Sequence, residues 1–141
     1  MFRLRDQGGF TAIELLTVIV IIGVLAAIAV PAFFHHRDRA RDAQAKGNAR
    51  AAQTAAIEIG EENGGRFDGP GGITLQNLVE QEGTLTDVNL RVPQTSAHGY
   101  TLRVRSETGN TFDITQHDNA TVDLTCASAA DSGCPSDGTW D

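Results

Sequence analysis

One carboxylate and two thiols are the residues of this chain whose placement points to chemistry. Glu14 stands in the stretch GGFTAIELL, near the start of an apolar run from Phe10 to Phe34. A carboxylate at the centre of a membrane helix costs about 2.5 to 3.5 kcal/mol on insertion scales, so an intramembrane glutamate marks a function unless it can reach the headgroups. Glu14 is about one turn from the end of the run, and both readings are open on the residues alone. Cys126 and Cys134 are the only cysteines, eight apart, with Ser, Ala, Asp and Gly between them. An even count in an exported domain favours a small disulfide loop over two free thiols. Closing so short a loop would restrict the unfolded chain by roughly 2.5 kcal/mol in the entropic model.

Other chemistries are not set up. The chain has no G-x-S-x-G, P-loop, HExxH or EF-hand sequence, and its serines lie in polar turn or tail segments without an adjacent histidine. His35, His36, His98 and His117 would hold a metal only if the fold gathered them, and with no CxxC a zinc site is not expected. Asp118, Asn119 and Asp123 offer oxygen ligands at a spacing that matches no calcium loop. No catalytic residue, metal ligand or cofactor is assigned, and the expectation is that the protein is not an enzyme.

These residues must be positioned by the elements around them. A length of 141 residues leaves room for one modest domain beyond the apolar run. A formal charge of −7 argues against a surface built throughout to hold nucleic acid. From Leu15 to Phe34 only Thr17, Gly23 and Pro31 interrupt the aliphatic and aromatic residues. Twenty residues make about 30 Å of helix, the thickness of a hydrocarbon core, whereas a secretory signal needs an apolar stretch of about 7 to 15 residues. The run continues directly into the charged stretch HHRDRARDAQAK, so it is retained rather than cleaved at its far end. Arg3 and Arg5 on the short side are outnumbered by Arg37, Arg39 and Arg41 on the long side. Large domains cross largely regardless of charge, and the reading is short end inside, domain outside.

Gly9-Phe10-Thr11-x-Ile13-Glu14-Leu15-Leu16, with a short basic leader before it and an apolar helix carrying Gly23 and Pro31 after it, resembles the amino terminus of bacterial type IV pilins and the related pseudopilins. The resemblance is close over the first ~35 residues, and in layout only beyond them. It implies a leader at residues 1–9, a transmembrane and filament-core helix at 10–34, and a head at 35–141 that includes the amphipathic half of the helix. It implies that a prepilin peptidase cuts between Gly9 and Phe10 and that the new Phe10 amine is methylated. It further implies that Glu14 meets that amine on a neighbouring subunit, and that Gly23 and Pro31 let the helix bend or partly unwind in a fibre. Removing nine residues from 141 leaves 132, and losing Arg3, Arg5 and Asp6 moves the formal charge from −7 to −8. The physics of the pair is consistent: in low dielectric an unpaired carboxylate is costly, and a partner amine that removes the cost can select one helix register.

Beyond Phe34, Ala45, Ala49, Ala52, Ala56 and Ile59 recur at helical spacing, forming a small-residue stripe that can lie against a sheet. The other faces carry Arg41, Asp42, Lys46, Arg50 and Glu58, read as a solvated surface. With Gly60 and Asn63-Gly64-Gly65 as stop signals, a single helix is predicted from about Thr11 to about Ile59. Leu75–Glu82 is predicted as a short helix capped by Thr74, and Leu90–Val92 as a brief strand ending before Pro93. Tyr100, Leu102 and Val104, then Phe112 and Ile114, then Val122, Leu124 and Cys126 alternate with polar residues across turn-like segments, which predicts an antiparallel meander. The fold class is therefore α+β: a long amino-terminal spine packed on a small antiparallel meander, with a carboxy-terminal disulfide loop.

The functional expectation is a structural subunit of a type IV pilus-like surface filament, a helical homopolymer serving adhesion, twitching motility or DNA uptake. Its partners would be copies of itself, the prepilin peptidase, the inner-membrane assembly machinery and, before assembly, the membrane. It would begin as a single-pass inner-membrane precursor and end in an extracellular filament. One alternative is a pseudopilin of a type II secretion or competence apparatus. Another is a membrane-anchored extracytoplasmic binding module in which Glu14 is incidental. Arg103 and Arg105 on one strand face, with Arg91 near, make the basic cluster of the head; DNA could contact it, but nothing else in the sequence supports that, and solubilising positions are the plainer reading.

Overall fold

The computed structural model describes residues 9–128 and 133–141. The expected leader lies, apart from Gly9, outside the described residues. Two compact units divide between His36 and Arg37. The first consists of the start of a 51-residue helix, α1 (Ala12–Glu62). Its residues up to His36 are all exposed, and the helix is long and apolar enough there to cross a membrane.

The second unit is the head. Within it α1 buries Ala45, Ala49, Ala52, Ala55, Ala56, Ile59 and Gly60, the predicted stripe with two further small positions. Gly60 is required by close packing: a Cβ there would collide with the Phe67 ring, which stacks edge-on against Tyr100 at 4.8 Å. The helix ends where Gly64 and Gly65 take positive φ and the Gly65 N–H returns to the Gly60 carbonyl at 2.7 Å. A second helix, α2 (Leu75–Gln81), starts as predicted at Thr74, whose side chain accepts from the Asn77 N–H at 3.1 Å.

Four strands follow, β1 (Leu90–Thr95), β2 (Tyr100–Arg105), β3 (Thr111–Gln116) and β4 (Val122–Ala127), in the antiparallel order β1-β2-β3-β4. Leu90, Tyr100, Leu102, Val104, Phe112 and Ile114 point inward to meet the alanine stripe. β1 departs from the expected strand end at Val92. It runs through Pro93 to Thr95, with its register to β2 shifting between Arg91 and Gln94. Proline lacks a ladder donor, but at an edge, beside a bulge, no donor is needed.

The carboxy terminus is more than a disulfide loop. Cys126 and Cys134 are joined, their Cα atoms 5.8 Å apart. Beyond them Thr139 bridges to Thr125, extending the sheet past β4. The indole N–H of Trp140 donates to the Thr125 carbonyl at 2.8 Å, and its ring meets Phe112 edge-on at 5.8 Å. Trp140 is 3% exposed and closes one end of the core.

Candidate functional site

The predicted processing and assembly residues lie in the first unit. Gly9 and Phe10 precede the helix, both exposed, and Phe10 is 85% accessible. A Cβ on Gly9 would meet nothing within 4 Å among the described residues. The described residues therefore give no steric reason for glycine at that position.

Helix α1 starts in a reciprocal cap. Thr11 is its first flanking residue, and the Glu14 N–H donates to Thr11 Oγ1 at 3.3 Å, a long bond. In return Glu14 Oε2 accepts from the Thr11 N–H at 2.8 Å and from its hydroxyl at 2.7 Å. Thr-x-x-Glu at a helix start is a capping box, which satisfies two of the backbone donors that a helix amino terminus leaves open. The motif is legible in the sequence, though the apolar surroundings draw attention to depth rather than to capping. Both bonds use one carboxylate oxygen, and Oε1 has no hydrogen-bond partner among the described residues.

Gly23 sits inside the helix, where a Cβ would meet nothing within 4 Å. Glycine costs about 1 kcal/mol relative to alanine in a helix interior, so this position weakens the isolated helix without easing any contact within it. Pro31 is also inside α1, which is assigned unbroken from Ala12 to Glu62. With no N–H at Pro31 the bond to the Ala27 carbonyl is forfeited, and the helix runs on through that turn. Phe10 and fourteen further large apolar side chains as far as Phe34 are exposed. An apolar surface on all sides of a helix is stable only in lipid or when covered by other helices.

The head holds the residues that sequence reasoning misplaced. Asp42, expected on the solvated face, is fully buried. Its carboxylate accepts from the Thr108 hydroxyl at 2.5 Å, the Asn110 amide at 2.8 Å and the Gly133 N–H at 2.7 Å. It thereby ties α1 to the β2–β3 turn and to the disulfide loop. Lys46 lies 5.4 Å from the Phe112 ring centre and Arg50 5.4 Å from that of Trp140, so both charged stems cover aromatic faces rather than standing free. No pattern in the local sequence marks Asp42, because the donors that reach it among the described residues, on Thr108, Asn110 and Gly133, arrive from more than sixty residues away.

Of the arginine cluster, Arg103 is held by Asp113 across the β2–β3 pair, its Nε donating at 2.8 Å, and this ion pair raises the guanidinium pKa above its usual value. Arg91 stands directly across from Arg103 in the β1–β2 register. Among the described residues, no group of three or more His, Cys, Asp or Glu side chains is placed to hold a metal ion.

Residues 4–30 match a family model described as the prokaryotic N-terminal methylation motif. The chain is similar to the type IV major pilin protein PilA of Myxococcus xanthus, 51% identical over 54 residues that cover 38% of this chain and 24% of that protein. It is similar to the type II secretion system core protein G of Pseudomonas aeruginosa, 45% identical over 51 residues covering 36% of each. A fimbrial protein of Pseudomonas aeruginosa is 31% identical over 102 residues, covering 58% of this chain and 66% of that protein. The chain spans 24% and 36% of the length of the first two of these curated relatives. No solved structure matches the chain.

Proposed function

We propose that this chain, which carries the prokaryotic N-terminal methylation motif and is similar over its amino-terminal part to type IV pilins and a type II secretion core protein, is a structural subunit of a pilus-like filament, with no catalytic step of its own. It is inserted with its leader in the cytoplasm, cut between Gly9 and Phe10 by a prepilin peptidase, and methylated on the new amine. The inner-membrane assembly machinery then moves residues 10–34 from lipid into the core of a helical homopolymer, and the head faces outward.

The observation that carries this reading is the contrast at the amino terminus between full exposure and local order. The apolar surface from Phe10 to Phe34 is uncovered, while Thr11 and Glu14 fix the start of the helix. Glu14 Oε1 is left to accept from the ammonium of a neighbour's Phe10 without opening the cap, so one side chain serves both helix start and register. Gly23, which eases no contact within the chain, leaves space for a neighbouring helix to approach closely.

A second reading rests on the similarity to the type II secretion system core protein G, 45% identical over 51 residues. A pseudopilin would use the same helix to build a short periplasmic fibre. Electron microscopy of sheared cell-surface filaments, with mass spectrometry of their subunit, tests both. A filament subunit beginning at N-methylated Phe10 is the expected result. Processed chain retained in the envelope without surface filaments would favour the pseudopilin. A retained leader would sink both readings and leave the anchored binding module.

A further inference from the structure

We propose that the outer face of the sheet, at Arg91, Arg103 and Arg105, docks the acidic carboxy-terminal end of α1 on a second copy of this chain. The proposal rests on the filament reading above and names a contact between heads within it. On β2, Arg103 and Arg105 alternate with buried Leu102 and Val104, which places the arginines on the face turned away from α1. Arg91 is the cross-strand partner of Arg103, so it shares that face. Like charges directly opposite in an antiparallel pair are unfavourable. Asp113 neutralises Arg103, but Arg91 and Arg105 have no ion-pair partner among the described residues. The three arginines, with Asn89 and Thr111, border a shallow depression of about 220 Å³.

The complementary surface is on the helix side of the same head. The last turns of α1 carry Glu58, Glu61 and Glu62 and no basic residue. All three are exposed, and among the described residues Glu58 accepts only from the Gln81 amide, at 3.0 Å. The nearest cation in sequence, Arg66, is engaged by Asp68 at 2.7 Å. Glutamates at a helix carboxy terminus oppose the helix dipole, so this end too is locally unfavourable in the isolated head. Two patches of opposite sign, lying on different faces and each with charges that have no ion-pair partner among the described residues, are complementary between copies. A contact between two different patches is heterologous and repeats along a line instead of closing into a dimer. In a chain of formal charge −7 it would also relieve repulsion between neighbouring heads.

Charge reversal in the full-length chain, expressed in its own host, tests the contact. The pair Arg91→Glu with Arg105→Glu, and separately Glu61→Arg with Glu62→Arg, should each lower the amount of subunit in sheared filaments about tenfold or more, since like charges then face each other. Combining all four changes should restore it to within a few-fold of wild type. Leader cleavage and formation of the disulfide, followed in every variant, report that the head still folds. Wild-type filament yield in both pairs, or no recovery in the combination, would overturn the proposal. Normal filaments that lose only their retention on heparin or duplex DNA after the arginine change would also overturn it, assigning the face to polyanions. Absence of filaments from the wild type would instead remove the filament reading itself.

Discussion

Between Gly9 and His36 no side chain is buried, whereas the head from Arg37 onward buries a continuous core of seventeen apolar residues among those described. The two regions answer to different partners. In the head, the small residues of α1, the inward faces of β2 and β3, and Trp140 meet one another, and even a buried carboxylate is supplied with donors by the chain itself. In the amino-terminal segment the only side-chain hydrogen bonds among the described residues are local, those of the Thr11–Glu14 cap and the Thr17 hydroxyl to the Ile13 carbonyl. Substitutions in the core of the head should therefore be read in stability, and those in the segment, like those of the exposed charges proposed to join heads, in assembly. Each prediction below succeeds only if a change moves one readout and spares the other.

The largest effect is expected at Glu14. Replacement by alanine removes both the cap and the charge, and should leave cleavage after Gly9 largely intact while lowering filament incorporation by an order of magnitude or more, with the melting temperature of the head unchanged. Glu14→Gln separates the two roles, because glutamine also serves in a capping box but carries no charge. If the glutamine variant loses filaments as the alanine variant does, the charge is what assembly uses. If it retains wild-type yield, the cap suffices and the pairing with a neighbour's amine is wrong.

Asp42 should show the reverse. Asp42→Ala removes the carboxylate that the Thr108 hydroxyl, the Asn110 amide and the Gly133 N–H share, though the hydroxyl can still donate to Ser106 Oγ at 3.1 Å. Unsatisfied buried donors cost about 1 to 3 kcal/mol each, partly relieved by relaxation, so a loss of ~3 kcal/mol is expected in chemical denaturation. A change under ~1 kcal/mol would mean that the carboxylate does not hold the head together.

Next in size is the disulfide. Cys126→Ser with Cys134→Ser should cost about 2.5 kcal/mol by freeing a short loop in the unfolded chain. It should act less than additively with Asp42→Ala, since Gly133, one of the Asp42 donors, lies beside Cys134. Strict additivity in a double-mutant cycle would show that the bridge and the carboxylate act independently.

How far the sequence announces these features follows from how local their causes are. The helix stop at Gly64 and Gly65, the Thr74 cap and the period-two strands depend on neighbours within a few residues, and the structure places them where the pattern puts them. The alanine stripe depends on helical spacing and is equally legible. Asp42 is not, because the stretch RDRARDAQAK alternates charge as a solvated helix does, and only the return of the chain at Thr108, Asn110 and Gly133 buries one of its members. Pro93 reads as a strand end unless β1 is known to be an edge, which is a fact about the whole sheet. Of the candidate site, Gly9, Phe10 and Glu14 are singled out by their spacing, and what the structure adds is that nothing among the described residues stands where a Cβ on Gly9 or Gly23 would go.

The smallest predicted effect lies in the β3–β4 turn, where Ala120 has φ of 65° and is the one residue other than glycine with positive φ among the described residues. The turn holds it there: the Ala120 N–H donates to the His117 carbonyl at 2.9 Å, and the His117 N–H to that of Thr121 at 2.9 Å. An alanine Cβ in the left-handed region costs about 1 to 2 kcal/mol, and glycine removes that cost while adding about 0.4 to 1 kcal/mol of unfolded-chain entropy. The balance predicts that Ala120→Gly stabilises the head by about 0.5 kcal/mol, measured as a higher denaturation midpoint with an unchanged slope. The turn is far in sequence from the amino-terminal helix, so filament yield should not move. A gain in stability accompanied by a loss of filaments would break the division between the two regions, by showing that this turn too meets a partner outside the chain.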